Sequence, residues 1–581
     1  MAKQRIIVVG GGLAGLMTTI KIAELGVPAD LFSIVPVKRS HSVCAQGGIN
    51  AAKNQKGEGD HPDIHFDDTI YGGDFLANQP LVKEMCHAGP QIIDLLSRMG
   101  VPFNRTQEGF LDFRRFGGTL HHRTAFAGAT TGQQLLYALD EQVRRHEAEG
   151  LVTKYEGWEF LSVVKDEEEG KVIGITAVFM PDMSVSYFPA DAVIMATGGP
   201  GIVFGKSTNS YINTGAAASR VYQQGAIYAN GEFIQVHPTA IPGNDKLRLM
   251  SESIRGEGGR VWVPKDGKPW YFLEERYPKY GNLVPRDIAT REIFKVCVEE
   301  KLGVDGKNQV YLDVTHIPAE RLTQRLGGVL EIYEKFVGDD PLRVPMKIFP
   351  GVHYSMGGLW IDFKHRTNIP GLYAVGEVDY QYHGANRLGA NSLLSCIFGG
   401  MVCGPEAVKY LKGLKKTADD VAPSVFAAEQ ARQNDIFERI YRMTGPENPY
   451  TMLDELGNWM TDNVTIVRYN DKLKQTDQKI QELAERFHKI GVNDQSRVYN
   501  SYVLRVRQLM DMFPLARLIT LGALNRNESR GAHYKPEFPE RDDANWLKTT
   551  MATYSAAGPI FSYEAVDTSL IKPRPRVYSK T

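Results

Sequence analysis

The sequence predicts an α/β protein built on a doubly wound, Rossmann-like dinucleotide-binding domain that a second domain interrupts. Three stretches predict it. In IIVVGGGLAG, residues 6–15, four β-formers lead into Gly10, Gly12 and Gly15 at G-x-G-x-x-G spacing. DAVIMATGG at 191–199 and GLYAVGEV at 371–378 are further apolar strands that end in small residues. Because these strands are far apart in the chain, we expect an insertion between roughly residues 240 and 345.

The glycine turn is expected to hold the pyrophosphate of a dinucleotide. Free backbone N–H groups and the positive end of the helix dipole point at an anion there. Gly10 makes the turn, Gly12 admits the pyrophosphate and Gly15 lets the helix pack on the strand. An NAD site would place Asp or Glu near the end of the second strand, where this chain has Ser33. This residue argues against NAD and leaves FAD as the alternative dinucleotide. A plain glycine-rich turn is the structural alternative.

Composition indicates a globular protein of roughly three or four domains. Of 581 residues, 67 are Lys or Arg and 68 are Asp or Glu. The composition therefore has no excess of positive charge of the kind that indicates nucleic-acid binding. The five cysteines form no CxxC pair, so we expect no metal or iron–sulfur site and a reducing compartment. No apolar run reaches about 18 residues, so we expect no transmembrane helix.

Four regions are predicted along the chain. Helical patterns dominate from Ala422 to Ala523 and predict a three-helix antiparallel bundle, whereas the Pro-rich stretch after it predicts a β or extended tail. Residues 151–190 alternate as in a β-meander. The predicted domains are a split dinucleotide-binding domain at 1–240 plus 343–410, an α+β capping domain at 241–342, a helical domain at 411–525 and a C-terminal domain at 526–581.

A basic, glycine-containing segment, VKRSHSVCAQGGINAA at 37–52, follows the second strand. It contains Arg39, Ser40, His41, Ser42, Ala45, Gln46, Gly47 and Gly48. This run resembles the R-S-H-[ST]-x-x-A-Q-G-G segment of succinate dehydrogenase and fumarate reductase flavoprotein subunits, whose histidine is bonded to the 8α-methyl of FAD. The resemblance implies covalent FAD at His41, since an imidazolyl substituent raises the flavin potential, as succinate oxidation requires. A surface loop with an incidental histidine is the alternative.

Further motifs of that family follow in its order over nearly the full chain: HPT, SE-x-x-RGEGG, PRD, H-Y-x-MGG, GE and GANRLG-x-NSLL. The resemblance implies that the two carboxylates of a dicarboxylate are held by His237, Ser251, His353 and Arg387. It implies that Arg286 carries the substrate proton, with Glu252 and Arg255 as its relay. Ser251 replaces the usual Thr and keeps the hydroxyl. The remaining residues assigned to FAD are Gly10, Gly11, Gly12, Leu13, Ala14, Gly15, Ser33, Ala196, Thr197, Gly198, Glu377, Arg387, Ser392 and Leu393.

The resemblance implies a flavoprotein subunit of a succinate:quinone oxidoreductase. Because the chain has no cluster or haem motif, electrons must leave through partners, implied to be an iron–sulfur subunit and a haem-containing membrane anchor that reduces quinone. The chain would then be peripheral, on the cytoplasmic side of the cell membrane. The alternatives are a quinol:fumarate reductase working in reverse, L-aspartate oxidase, which lacks the attached histidine, a soluble fumarate reductase, and a flavin-binding scaffold without dicarboxylate turnover.

Overall fold

A five-stranded parallel sheet is the central element of the computed structural model, which describes residues 4–578. Its spatial order is Leu372–Ala374, Ala192–Met195, Ile6–Val9, Ala29–Ser33 and Val152–Glu156. Every neighbouring pair is parallel. The three apolar strands read from the sequence therefore lie side by side, and the doubly wound α/β class is confirmed.

Helices and two small antiparallel sheets surround this sheet. The helices are Leu13–Ala23, Pro62–Gly72, Gln79–Arg98, Thr131–Ala148, Ala216–Gln223 and Asn391–Lys412. One small sheet contains Ile49–Asn50, Thr124–Ala125 and Phe113–Arg114, and the other contains Trp158–Lys165, Val172–Phe179 and Ser184–Pro189. The meander predicted over 151–190 is thus shorter than expected, because Val152–Glu156 pairs with Ala29–Ser33 instead.

A second layer carries its own hydrophobic core, which extends from Ile241 to Ile348 and includes Tyr578. Its sheet has the order Arg248–Leu249, Ile234–Ile241, Met346–Ser355, Val310–Asp313, Arg260–Lys265 and Lys268–Trp270. The helices are Ser253–Gly256, Phe272–Arg276, Arg286–Phe294 and Ala319–Val337. We call this layer the cap. Two long antiparallel strands, Ile234–Ile241 and Met346–Ser355, lead into it and out of it.

The C-terminal half of the chain ends in helices and a short β segment. Four helices form the bundle, Pro423–Tyr441, Pro449–Asn463, Asn470–Arg486 and Ser501–Asn525, so the prediction of three was wrong. The fourth is buried along most of its length in a core shared with the dinucleotide-binding domain. After the short helix Asp543–Trp546, the strands Lys548–Thr553 and Ile560–Ala565 complete a sheet with Tyr228–Ala229 and Gly358–Leu359.

Within residues 4–578, no helix has both the length and the apolar character that a membrane crossing requires.

Candidate active site

A cavity of about 500 Å³ begins at the carboxyl ends of the central strands and extends beneath the cap. The predicted residues that line it are Gly10, Gly11, Gly12, Leu13, Ala14, Ser33, Ser40, His41, Ser42, Ala45, Gln46, Gly47, Gly48, Ala196, Thr197, Gly198, His237, Ser251, Glu252, Arg286, His353, Glu377, Arg387, Ser392 and Leu393. Gly15, Arg39 and Arg255 do not line it. The fold therefore brings segments that are far apart in the chain to one cavity at the position typical of ligand sites in open α/β sheets.

The glycine turn at one end of the cavity has a conformation and close backbone contacts that no residue with a side chain could adopt. Gly10 has φ +120°, and a Cβ there would lie 2.1 Å from the Ala196 carbonyl oxygen. A Cβ at Gly15 would lie 1.8 Å from the Gly10 carbonyl oxygen. Gly15 therefore supports the packing of the helix on the turn, which explains why it lies outside the cavity lining. The Ser42 hydroxyl accepts a hydrogen bond from the N–H of Leu13 at 3.2 Å and ties the 37–52 segment to this turn.

The imidazole of His41 is oriented with one nitrogen satisfied. Its Nδ1 accepts a hydrogen bond from the N–H of Ser210 at 3.2 Å, which leaves Nε2 available. Burial, with a contribution from Lys246, lowers the pKa of His41 to about 4, so the ring is neutral at physiological pH. In this neutral tautomer Nε2 carries the ring proton, so a bond at Nε2 requires that this proton leave. Arg39, two residues earlier, is exposed at the surface, where it contributes nothing to the cavity wall.

The loop after His41 is fixed by a residue that no sequence motif indicated. The fully buried Arg114 donates to the carbonyl oxygens of Gln46 and Gly47, each at 3.1 Å. Its guanidinium lies 4.1 Å from the ring centroid of Phe126. Gly48, with φ +136°, completes this tight loop, and a Cβ there would lie 2.4 Å from the Ala125 carbonyl oxygen. Arg114 therefore holds the AQGG backbone in place from behind.

At the cap end, two histidines face each other with ring centroids 5.1 Å apart. His237 Nδ1 accepts from the N–H of Thr239 at 3.1 Å, and its buried Nε2 has no hydrogen-bond partner among the described residues. His353 Nδ1 lies 2.7 Å from the Thr208 hydroxyl oxygen. Burial, followed by the field of Arg286, lowers the pKa of both rings well below the usual range. His237 is therefore neutral and presents an Nε2–H donor to the cavity.

Arg387 and Ser251 supply further donors. Burial, followed by Arg286, lowers the pKa of Arg387 to about 9, and its buried Nε has no hydrogen-bond partner in the part of the chain that the structure describes. The guanidinium lies 4.3 Å from the ring centroid of Tyr354. Ser251 Oγ accepts from the hydroxyl and the N–H of Ser253, at 2.8 and 3.2 Å, so its own proton is free to donate. Such donors, in a buried site without a matching acceptor, indicate an anionic ligand.

Arg286, Glu252 and Arg255 form a continuous chain of ion pairs. Glu252 Oε2 accepts from Arg286 Nε at 2.8 Å, and Oε1 accepts from Arg255 Nη2 at 2.7 Å. Burial raises the pKa of Glu252, but Arg286 and Arg255 outweigh it and the net shift is downward, so this carboxylate is ionised. Arg255 lies behind Glu252 and donates to the Asn282 carbonyl oxygen at 2.6 Å, which explains its absence from the cavity lining.

Gln235 is a second residue that the sequence analysis missed. Its Oε1 accepts from Arg286 Nη1 at 3.0 Å, and its Nε2 donates to the Arg387 carbonyl oxygen at 2.7 Å. One fully buried amide therefore orients both arginines. The only signal in the sequence is its position two residues before His237, on the same face of the strand.

Charge and shape at the cap end fit a small dianion. Three guanidinium groups, those of Arg255, Arg286 and Arg387, surround one carboxylate, Glu252, and leave a surplus of two positive charges. The neighbouring histidines are neutral and add donors without adding charge. Two carboxylates joined by a short chain would balance this surplus.

The other end of the cavity fits a dinucleotide with a flavin. Four buried polar atoms along its wall have no hydrogen-bond partner among residues 4–578: Ser40 Oγ, Gln46 Oε1, Thr197 Oγ1 and Asn213 Oδ1. The helix Asn391–Lys412 begins at the cavity after Ala390, which has φ +63°. Its N-terminal residues line the wall, so the positive end of its dipole faces the cavity. Burial raises the pKa of Glu377, which also lines it, to about 7.

Comparison with known proteins agrees with this geometry. The family model described as FAD binding domain matches residues 5–393, and the one described as Fumarate reductase flavoprotein C-term matches residues 453–578. The succinate dehydrogenase flavoprotein subunit of Bacillus subtilis is 68% identical over 582 residues, which cover 100% of this chain and 99% of that protein.

The chain belongs to the succinate dehydrogenase and fumarate reductase flavoprotein family.

Other relatives of this family support the same assignment. The fumarate reductase flavoprotein subunit of Escherichia coli is 34% identical over 98% of this chain and 95% of that protein. A structure of E. coli quinol fumarate reductase FrdA superposes with a TM-score of 0.92 at 32% identity and covers 100% of both chains. Mycobacterium smegmatis Sdh1 superposes with a TM-score of 0.83 at 28% identity, covering 97% of this chain and 95% of that one. The chain is therefore an FAD-dependent oxidoreductase of this family.

Ala216 follows the N-T-G run and lines the cavity with its methyl group. Its N–H donates to the Thr214 hydroxyl at 3.2 Å.

Proposed function

We propose that this chain is the flavoprotein subunit of a succinate:quinone oxidoreductase and oxidises succinate to fumarate. The observation that carries the proposal is the surplus of two positive charges beside two neutral histidines, at the far end of a cavity built for FAD. Succinate is a dianion with two reactive methylene groups, and the bound FAD supplies a hydride acceptor at one of them.

Substrate binding is assigned to His237, Ser251, His353 and Arg387. His237 presents its Nε2–H and Ser251 its hydroxyl, so both donate to a carboxylate without adding charge. Arg387, whose side chain has no acidic partner in the described residues, offers a bidentate fork. These fixed groups also stabilise the charge that builds on the carboxylate next to the carbon losing its proton.

Proton transfer is assigned to Arg286. Its Nε and Nη1 are held by Glu252 and Gln235, and the side chain is aimed into the cavity from the start of the cap helix Arg286–Phe294. A guanidinium cannot accept a proton, whereas the neutral guanidine is a strong base. Held close to the substrate and desolvated, that base suits a substrate C–H, which is a very weak acid. Glu252 and Arg255 then move the proton away from the cavity.

The covalent attachment of FAD is assigned to His41 Nε2. The N–H of Ser210 occupies Nδ1, so Nε2 is the nitrogen that would form the bond, and the proton that Nε2 carries in this neutral tautomer would leave as the bond forms. An electron-withdrawing imidazolyl group on the flavin raises its potential, which favours oxidation of succinate.

Fumarate reduction by the same site is the second candidate. The overlap with E. coli quinol fumarate reductase, at a TM-score of 0.92, favours it. The identity of 68% to a succinate dehydrogenase subunit, against 34% to an E. coli fumarate reductase subunit, favours succinate oxidation. L-Aspartate oxidase is the less favoured alternative because that family lacks the attached histidine that His41 would provide.

The partners follow from the electrons that leave the flavin. Residues 4–578 contain no group of three or more His, Cys, Asp or Glu residues that could hold a metal ion. We therefore assign the next steps to an iron–sulfur subunit and to a haem-containing membrane anchor with a quinone site. The chain is then a peripheral membrane protein on the cytoplasmic side, attached through these subunits.

Acid denaturation tests the proposal directly. The precipitated wild-type polypeptide should stay yellow and fluoresce under ultraviolet light on a denaturing gel, while His41→Ala should release all its flavin. The native complex should reduce an artificial electron acceptor with succinate, and malonate should compete. Turnover of L-aspartate in place of succinate, or wild-type flavin that washes off completely, would contradict the proposal.

A further inference from the structure

The segment 566–578 runs across the boundary between the cap and the dinucleotide-binding domain. We propose that this segment, through Arg576, is a clamp that positions Arg286 for proton transfer. The inference rests on the proposed function, because it assigns a role to a residue that acts through Arg286. The inference assigns residues 566–578 a role in positioning a catalytic side chain. Neither the sequence of this segment nor its lack of helix or strand indicated such a role.

One end of the segment is bound to the dinucleotide-binding domain. The buried side chain of Gln79 accepts from the N–H groups of Leu570 and Ile571, at 2.9 and 2.7 Å, and donates to the Ile571 carbonyl oxygen at 2.8 Å. Arg574 then pairs with both carboxylate oxygens of Asp67, at 3.0 and 2.6 Å. These contacts fix the path of the segment before it reaches the cap.

The other end is bound to the cap. Arg576 donates to both carboxylate oxygens of Asp287, at 2.6 and 2.9 Å. The pair is buried, with side-chain exposures of 7% for Arg576 and 1% for Asp287. Tyr578 enters the hydrophobic core of the cap, and its ring centroid lies 5.1 Å from that of Tyr280. A bidentate pair in a dry site has one well-defined geometry, so it can act as a fixed point.

Asp287 adjoins the residue assigned to proton transfer. Arg286 and Asp287 begin the helix Arg286–Phe294, and their side chains are held by different partners, Glu252 and Arg576. Farther along the same helix, Arg291 donates to the Gly531 carbonyl oxygen at 2.7 Å. Arg291 also donates to the Asp287 carboxylate, at 3.3 Å, so the tail shares with it the task of fixing the start of the helix, and movement of the tail contact would move the Arg286 backbone.

Tyr71 connects the two ends of the clamp. Its hydroxyl accepts from the N–H of Val577 at 2.6 Å and donates to the Val577 carbonyl oxygen at 2.9 Å. Its ring centroid lies 5.3 Å from that of Tyr578. The helix Pro62–Gly72 therefore holds the backbone between Arg576 and Tyr578, so that a rotation of the cap would have to pull these contacts apart.

The chain offers a matched control for Arg576 on the same segment. Arg574 makes an equivalent bidentate pair, but its side chain is 42% exposed and its partner Asp67 lies on the dinucleotide-binding domain. An exposed pair contributes little to stability. Arg574→Ala removes this exposed pair and the stacking of the guanidinium on the Tyr71 ring, at 4.8 Å, but leaves the Arg576–Asp287 pair intact.

The experiment compares Arg576→Ala, Arg576→Lys, Asp287→Asn and Arg574→Ala in the assembled complex, with turnover expressed per covalently bound flavin so that only folded protein counts. We expect Arg576→Ala and Asp287→Asn to lower kcat by about 10- to 100-fold, since a small displacement of a reacting group is enough for such a loss. KM should change less, and the isotope effect with deuterated succinate should rise. Arg576→Lys should recover part of the rate, and Arg574→Ala should behave as wild type.

Two results would overturn the inference. One is a wild-type rate and isotope effect per bound flavin in Arg576→Ala, with a lower melting temperature as the only change. The other is an equal loss in Arg574→Ala, since that would reveal a general effect of the tail. A wild-type complex that does not oxidise succinate would instead overturn the proposed function, and the inference with it, before any variant is compared.

Discussion

Replacing Gln235 by leucine should slow succinate oxidation while leaving the flavin in place. The change removes the acceptor for Arg286 Nη1 and the donor to the Arg387 carbonyl oxygen, at 3.0 and 2.7 Å in the wild type. Gln235 has no part in the flavin end of the cavity, since it does not line the wall. The expected loss therefore lies in the chemical step and in substrate binding.

The magnitude follows from the kind of hydrogen bond that is lost. A hydrogen bond to a charged group contributes about 1.5–3 kcal/mol. Since about 1.36 kcal/mol corresponds to a tenfold change in rate, complete expression of this loss in the transition state lowers kcat/KM by about 10- to 150-fold. The Gln235→Glu variant keeps the acceptor oxygen for Arg286 but loses the donor to Arg387, so it should recover kcat more than KM.

The assay measures succinate-dependent reduction of an artificial acceptor, normalised to covalently bound flavin. Thr290→Val is the matched control. Thr290 lies on the helix that begins at Arg286, and its hydroxyl donates to the carbonyl oxygen of Val236, the neighbour of Gln235, at 3.0 Å without lining the cavity. That variant should lose some stability and keep its rate. If Gln235→Leu were no slower than Thr290→Val, the positioning of Arg286 by this amide would be refuted.

Three further predictions concern other parts of the chain. Gly10→Ala should abolish flavin binding, measured as flavin content of the purified protein, because its Cβ would lie 2.1 Å from the Ala196 carbonyl oxygen. Arg286→Lys should keep its flavin and lose turnover by orders of magnitude in steady-state assays, because a point charge cannot replace the oriented guanidinium. Burial raises the pKa of Asp379 from 3.8 to about 8, so the folded protein binds this proton more tightly than the unfolded chain does. The free energy of unfolding that this proton contributes is therefore lost as the pH rises from about 4 through 8. Asp379→Asn should therefore flatten that part of the decline in the free energy of unfolding, measured by denaturant titration at several pH values; a decline as steep as in the wild type would contradict it.

The sequence predicted the central sheet well because its strands carry local signals. Ile6–Val9 and Ala192–Met195 are continuous apolar runs that end in glycine or small residues, as expected for buried parallel strands. The helical region was harder. The helices Pro449–Asn463 and Asn470–Arg486 are joined by VTIVRY at 464–469, which contains neither Gly nor Pro, so nothing local marks the break.

The site residues were predictable where a motif surrounds them and unpredictable where they act at a distance. His41, His237 and Arg387 each lie in a short recognisable motif, and the fold brings all three to the cavity. Arg114 and Gln235 act through hydrogen bonds to residues remote in sequence, so neither spacing nor composition indicates them. Gly15 shows the converse case, in which a motif residue is required for packing and does not line the cavity.

Addition of succinate to the oxygen-free, oxidised complex tests the central claim most directly. If a flavin attached to His41 receives a hydride from a diacid held by these arginines and histidines, the visible flavin absorption should bleach rapidly. The same addition should have no effect on Arg286→Lys, and malonate added first should delay it in the wild type. An unchanged flavin spectrum in the wild-type complex, with the covalent flavin present and succinate in excess, would contradict the account.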